Sequence, residues 1–189
     1  MSKIESYPPG VFCWADLMTA DTAAAKHFYG EMFGWTAVDT PGEDGVYTLF
    51  QTGGEDVAGL MPATPGMPNC WNIYFSVTSA DNAAATVVKS GGEIFKGPFD
   101  ARDAGRLAVA QDPQGAVFCV WEAKKHIGAT YTGAIGRVVW PELATTDPGA
   151  AAAFYKGLFG WGTKPETASS ACYPPSFRMR SGKMTYWRV

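Results

Sequence analysis

Three extended stretches hold the residue types best suited to chemistry. FCWADLMT at 12–19 alternates so that Trp14, Asp16 and Met18 share one face, with Ala15, Leu17 and Thr19 on the other. Asn72 and Tyr74 follow the same period in 71–77, and Cys119 and Trp121 do so in 116–121. A carboxyl group on an apolar wall holds its proton more tightly than in water unless a cation pairs with it, which suits Asp16 to proton transfer. A structural Asp16, paired with Arg106 or bonded to a backbone group, is the alternative. Asn72, Tyr74 and Trp121 offer an amide, a phenol and an indole, groups that orient a ligand without reacting with it. The chain is rich in such rings, with 7 Trp and 14% aromatic residues, which suit a pocket for a flat or apolar molecule as well as a core. Cys119 becomes a nucleophile only beside a base. Of the 2 His, His27 falls in a helix and His126 in a linker, so Cys119 is expected simply to pack.

Composition narrows the classes further. Charged residues make up 17% and the formal net charge is -3, which gives no electrostatic reason to expect nucleic acid or an anionic membrane as a partner. No apolar run approaches the roughly 20 residues that span a bilayer, and Met1–Gly10 has no apolar core of a secretory leader. Cys13, Cys70, Cys119 and Cys172 form no C-x-x-C pair, as expected of free thiols in a reducing cytoplasm. A cytoplasmic protein with a small-molecule ligand and no cofactor is the expectation.

The elements that must position these residues are disclosed by a repeat. WADLMTADTAAAKHFYGEMFGW at 14–35 and WPELATTDPGAAAAFYKGLFGW at 140–161 match at 11 of 22 positions with an offset of 126. Each copy reads as a strand, an N-capping aspartate (Asp21, Asp147), a helix with an aromatic stripe, and a closing Gly-Trp. In the first copy strands at 47–52 and 57–61 follow, split by Gly53-Gly54, so 8–61 is a βαβββ unit. A second such unit spans 70–122: a strand at 71–77, a helix from Asp81 to Ser90, then strands at 93–96, 106–111 and 116–121. Residues 8–123 thus form one α+β domain, 124–136 is a linker, and 137–189 begins a partial second domain. In that partial unit, 177–180 and 184–188 read as one hairpin around Ser181-Gly182. Its helix carries an apolar face that must pack on its own N-terminal domain or on a second chain, and a two-fold homodimer is the expectation.

WADLMTAD…FYGEMFGW, DVAGLMP and DPQGAVFCVWEA, with KHIGA in the linker, resemble the vicinal oxygen chelate superfamily of glyoxalases, bleomycin-resistance proteins and extradiol dioxygenases. They most resemble its tandem-domain glyoxalase-like subgroup. The resemblance implies paired βαβββ modules curled into a half-open β-barrel around one cavity. It also implies four positions where metal-dependent members place His or Glu: Trp14 on the first strand, Gly59 on the fourth, Asn72 on the fifth and Cys119 on the eighth. Such a set is not expected to hold a divalent ion. Three functions follow from this reading. The first is binding of a small apolar or aromatic molecule in a metal-free cavity, for sequestration or resistance, with Trp14, Asn72, Tyr74, Cys119 and Trp121 as its lining. The second is a metal-independent lyase, isomerase or hydrolase with Asp16 as its catalytic group. The third is the metal-dependent glyoxalase or dioxygenase of the wider superfamily.

Overall fold

Both copies of the repeated helix start from an aspartate and stop at a glycine. In the computed structural model, which describes residues 3–42, 45–131, 136–138, 140–163, 179–181 and 186–188, the Asp21 side chain accepts from the Ala24 N–H and the Asp147 side chain from the Ala150 N–H. These bonds satisfy N–H groups that the first helical turn leaves free. Gly34 and Gly160 close the two helices in the left-handed region, at φ of 68° and 74°, where a Cβ would be strained. The helices are α1 (Thr22–Phe33) and α3 (Pro148–Phe159).

Eight strands form one open sheet: β1 (Phe12–Thr19), β2 (Thr36–Gly42), β3 (Gly45–Thr52), β4 (Glu55–Pro62), β5 (Cys70–Ser76), β6 (Glu93–Ala101), β7 (Gly105–Gln111) and β8 (Val117–Ala123). Their order is β2-β3-β4-β1-β5-β8-β7-β6. Within each unit the first and last strands run parallel, β1 beside β4 and β5 beside β8. The units join through the antiparallel pair β1–β5. This is the α+β architecture of two βαβββ modules that the repeat implies. One sheet face is covered by helices. Leu17, Phe50, Val57, Ala58 and Leu60 pack with Trp35, Ala25 and Tyr29 on the α1 side. Ile73, Phe75, Phe118 and Val120 pack with residues of α2 (Ala80–Lys89) and α3. The other face, here called inner, gathers Trp14, Tyr74, Leu107, Cys119 and Trp121.

Three local expectations are corrected. The second helix begins at Ala80, because the Ser79 side chain accepts from Asn82 N–H as N-cap, and Asp81 in the first turn instead meets Arg106 at 2.8 Å. The strand beginning at Glu93 does not stop at Lys96; it runs on through Gly97-Pro98 to Ala101, with register shifts that absorb the break in pairing. The terminal hairpin is not one. β10 (Met179–Ser181) pairs parallel and β11 (Tyr186–Arg188) antiparallel with β9 (Glu142–Thr145), one on each side. β9 is the first strand of the third unit and has two edges to satisfy, as β1 does with β4 and β5. Residues 164–178, which include Cys172 and the start of the expected hairpin, residues 182–185 and the acidic pair Glu43-Asp44 lie outside the described residues. The apolar face of α3 finds its cover in the same chain: Phe154 and Tyr155 are buried against Phe118 and its neighbours. A second chain is not needed to cover this helix.

Candidate ligand-binding site

Strand register places Asp16 at the centre of the inner face, opposite Gly59 on β4 and Asn72 on β5. The Asp16 carboxyl is buried. Asn72 Nδ2 donates to its Oδ1 at 2.8 Å, and Tyr74 Oη and Tyr47 Oη donate to Oδ2 at 2.7 and 3.2 Å. Tyr47 Oη in turn accepts from Trp14 Nε1 at 3.0 Å. Burial pushes the Asp16 pKa above the usual carboxylate range, and the three donors oppose that shift without cancelling it. Among the described residues no cation reaches it. Arg106 turns instead to Asp81, at 2.8 and 3.0 Å, and to Asp100 at 3.4 Å, so the pairing of Asp16 with Arg106 does not occur.

Gly59 explains how Tyr47 gets there. A Cβ on Gly59 would collide with Tyr47 Oη and stand 2.7 Å from Asp16 Cβ. The missing side chain leaves the space into which the phenol of Tyr47 reaches from the neighbouring strand β3. Both phenols have their pKa pushed well up, first by burial and then by the Asp16 charge, so at ordinary pH both are hydroxyl donors. Cys119 lies in register with Tyr74 across β5 and β8. Burial raises its thiol pKa well above the normal value, which keeps it protonated and a poor nucleophile. Cys13, Cys70 and Cys119 are free thiols.

Trp14, Asp16, Tyr74, Cys119 and Trp121 are all buried and Asn72 is half-buried. The structure brings all six to the inner face. Trp121 meets the edge of Tyr74 at 6.2 Å between centroids. Sequence reasoning passed over two further residues. One is Tyr47, for which a glycine in mid-strand at position 59 was the available signal, since something must fill the gap it leaves. The other is His126. The segment 124–130 crosses the inner face, held by Lys124 and His126 N–H on Ala104 O (both 3.0 Å), by Trp121 Nε1 on His126 O (2.8 Å) and by Ala129 N–H on Cys13 O (2.9 Å). It sets the His126 imidazole edge-on to Trp14, 4.7 Å between centroids, and 6.1 Å from Trp121. Burial lowers the imidazole pKa, with Asp56 pulling the other way. Only the tertiary path of the linker discloses this contact.

The four positions that metal-dependent relatives would use do not fit a divalent ion here. The Trp14 indole has no donor lone pair to offer and is bonded to Tyr47. Gly59 has no side chain and no room for one. Asn72 offers only a neutral amide oxygen, and Cys119 would be the one anionic donor among the four positions. Among the described residues no group of three or more His, Cys, Asp or Glu side chains could hold a metal ion. No described helix is long and apolar enough to cross a membrane.

Comparison with known proteins agrees with the geometry of the sheet. A family model described as a glyoxalase-like domain matches residues 13–121. The glyoxylase-named CFP32 of Mycobacterium tuberculosis (strain CDC 1551 / Oshkosh) is 42% identical over 166 residues, covering 85% of this chain and 64% of that protein. The anthracycline biosynthesis protein DauV of Streptomyces sp. (strain C5) is 39% identical over 171 residues, covering 82% of this chain and 62% of the relative. The chain therefore spans somewhat under two thirds of the length of these relatives. Among solved structures, the Mn(II)-bound glyoxalase from Novosphingobium aromaticivorans superposes with a TM-score of 0.56 at 19% identity, over 82% of this chain and 54% of that one. The halotolerant catechol dioxygenase BphC gives 0.55 at 19% identity, over 82% and 56%. At that identity the likeness concerns the fold alone.

Proposed function

This chain belongs to the glyoxalase-like domain family, and from that premise we propose that its inner face binds a small apolar or aromatic molecule without a metal ion, as a sequestering or resistance protein would. One observation carries the reading: Tyr47 Oη occupies the space in front of Gly59 and is bonded to Asp16, so the polar centre of the site is a closed set of side-chain hydrogen bonds instead of a set of metal donors. Around it Trp14, Tyr74 and Trp121 supply flat apolar area, and half-buried Asn72 gives its nitrogen to Asp16 while its carbonyl oxygen takes only a long contact from Cys70 Sγ, at 3.9 Å, which a ligand donor can replace. The names of two relatives, which tie them to anthracycline biosynthesis, are in keeping with a flat aromatic ligand. Titration of intrinsic tryptophan fluorescence with aromatic ligands tests the reading. Binding that is lost in Trp14→Ala supports it, whereas unchanged affinity places the ligand elsewhere. One metal ion per chain on elemental analysis, retained only while Asn72 and Cys119 are intact, would overturn the metal-free part.

Asp16 favours a second reading, a metal-independent lyase, isomerase or hydrolase. A buried carboxyl whose pKa is raised by burial, with no cation beside it among the described residues, is a group that can take up and give back a proton. Asp16→Asn separates the two readings: lost turnover with binding intact identifies an enzyme, and unchanged behaviour in both leaves a binding protein.

A further inference from the structure

His126 is poorly explained as a structural residue. Its Nε2 is buried and makes no hydrogen bond to any described residue. An unmet buried polar atom is unfavourable, and native structures keep few of them. The backbone around it is firmly held on both sides, by Ala104 O and by Cys13 O, so the imidazole is presented to the inner face by a fixed strap and not by a loose loop. The surface it covers is the indole of Trp14, and the indole of Trp121 also meets it, both at a steep interplanar angle of 84°. Beneath Trp14 lies the hydrogen-bonded centre of Tyr47 and Asp16.

We propose that His126 is an internal stand-in for the ligand: its imidazole occupies the aromatic cleft between Trp14 and Trp121, and a flat aromatic molecule enters by displacing it. This rests on the inner-face binding reading above and adds to it a gate and a ligand shape. A ring of modest size, edge-on to one indole and beside another, is what the cleft already accepts. A ligand of that kind recovers the packing that imidazole gives up, while rotation of the side chain takes Nε2 out to water. The held backbone means that the exchange needs a change of side-chain rotamer and no refolding of the strap. In the closed state the competing side chain reduces the apparent affinity by the fraction of molecules that are open.

The test compares wild type, His126→Ala, His126→Phe and Trp14→Phe in binding 2-naphthol, followed by calorimetry and by NMR of the His126 ring protons. Ring currents from the two indoles displace those protons in the free protein. Added 2-naphthol is expected to return them toward exposed values. His126→Ala is expected to bind about tenfold more tightly than wild type, since no side chain remains to be displaced. His126→Phe, whose apolar ring fills the cleft with no unmet polar atom, binds more weakly. Weaker binding in His126→Ala, or ring protons that stay in place while 2-naphthol binds, would overturn the stand-in role and leave the inner-face site standing. Affinity unchanged in Trp14→Phe and equal in all four proteins would sink the inner-face reading itself, and absence of binding by any of them would sink both.

Discussion

α1 and α3 share the capping aspartate, the Phe-Tyr pair, the left-handed glycine and the closing tryptophan, at a constant offset of 126. Their ends are anchored alike. Trp35 Nε1 donates to Gly136 O at 2.6 Å, and Trp161 Nε1 donates to Gly10 O at 2.9 Å. Gly10 and Gly136 are themselves 126 apart, so each tryptophan bonds to the glycine that precedes the other copy of the repeat. Their burial is nonetheless opposite. Phe28 is 51% exposed, whereas its counterpart Phe154 is 5% exposed, and α1 has no buried residue while Ala151, Phe154 and Tyr155 of α3 are buried. α3 lies against α2 and the outer face of the second unit. α1 rests on its own unit through Tyr29 and Ala25 and leaves Phe28, Met32 and Phe33 in the open among the described residues. An aromatic stripe at helical spacing therefore specifies a surface that can be buried, and the neighbouring unit decides whether it is.

The comparison can be broken most sharply at the paired phenylalanines. Phe154→Ala is expected to cost about 3–5 kcal/mol, the usual figure for emptying a packed ring site, while Phe28→Ala stays within about 0.5 kcal/mol, as at open surface positions. Urea unfolding curves of the two variants would show it, and equal losses would mean that α3 is not packed as described.

The first strands of the repeat differ in the same spirit, with Asp16 where the later copy has Glu142. Because the folded-state pKa of Asp16 is raised by burial, the folded protein binds its proton more tightly than the unfolded chain does. The stability linked to this proton is present below the unfolded aspartate value of about 3.9 and is lost as pH rises through the folded value. The slope is at most about 1.4 kcal/mol per pH unit for one proton. In Asp16→Asn that part of the slope should vanish, so denaturation midpoints measured from pH 4 upward should decline less than in wild type. A slope that steepens in the variant would contradict the assignment.

Smaller effects sharpen the picture. Tyr155 Oη donates to the buried Asp112 Oδ2 at 3.0 Å, and Tyr155→Phe is expected to cost about 1–2 kcal/mol. Tyr29→Phe, on the exposed helix, should be close to neutral when the two variants are compared by urea unfolding. The reciprocal anchors should behave as a matched pair. Trp35→Phe and Trp161→Phe each remove one indole bond to a glycine carbonyl, and their hydrogen-bond losses should be similar, about 1 kcal/mol each. A large difference between them, after correction for packing at the two rings, would show that the reciprocity of the repeat is formal and not energetic.

Much of this molecule could be read from its residues before any coordinates. The alternation in 12–19 puts Trp14 and Asp16 on one face, the repeat places two capped helices, and Gly53-Gly54 marks a turn, because periodicity, capping and turn chemistry act between near neighbours in the chain. The same parity brought Asn72, Tyr74, Cys119 and Trp121 to the face that holds Asp16. What lay beyond it were contacts between residues far apart in sequence: Tyr47 entering the gap at Gly59, Arg106 choosing Asp81 and Asp100 over Asp16, His126 laid across two indoles, and β10 and β11 dividing the two edges of β9. Each of those is settled by a competition between partners that the folded sheet brings within a few ångströms. Local pattern determines which groups can pair, and only tertiary packing, through burial and distance, determines which pairs form.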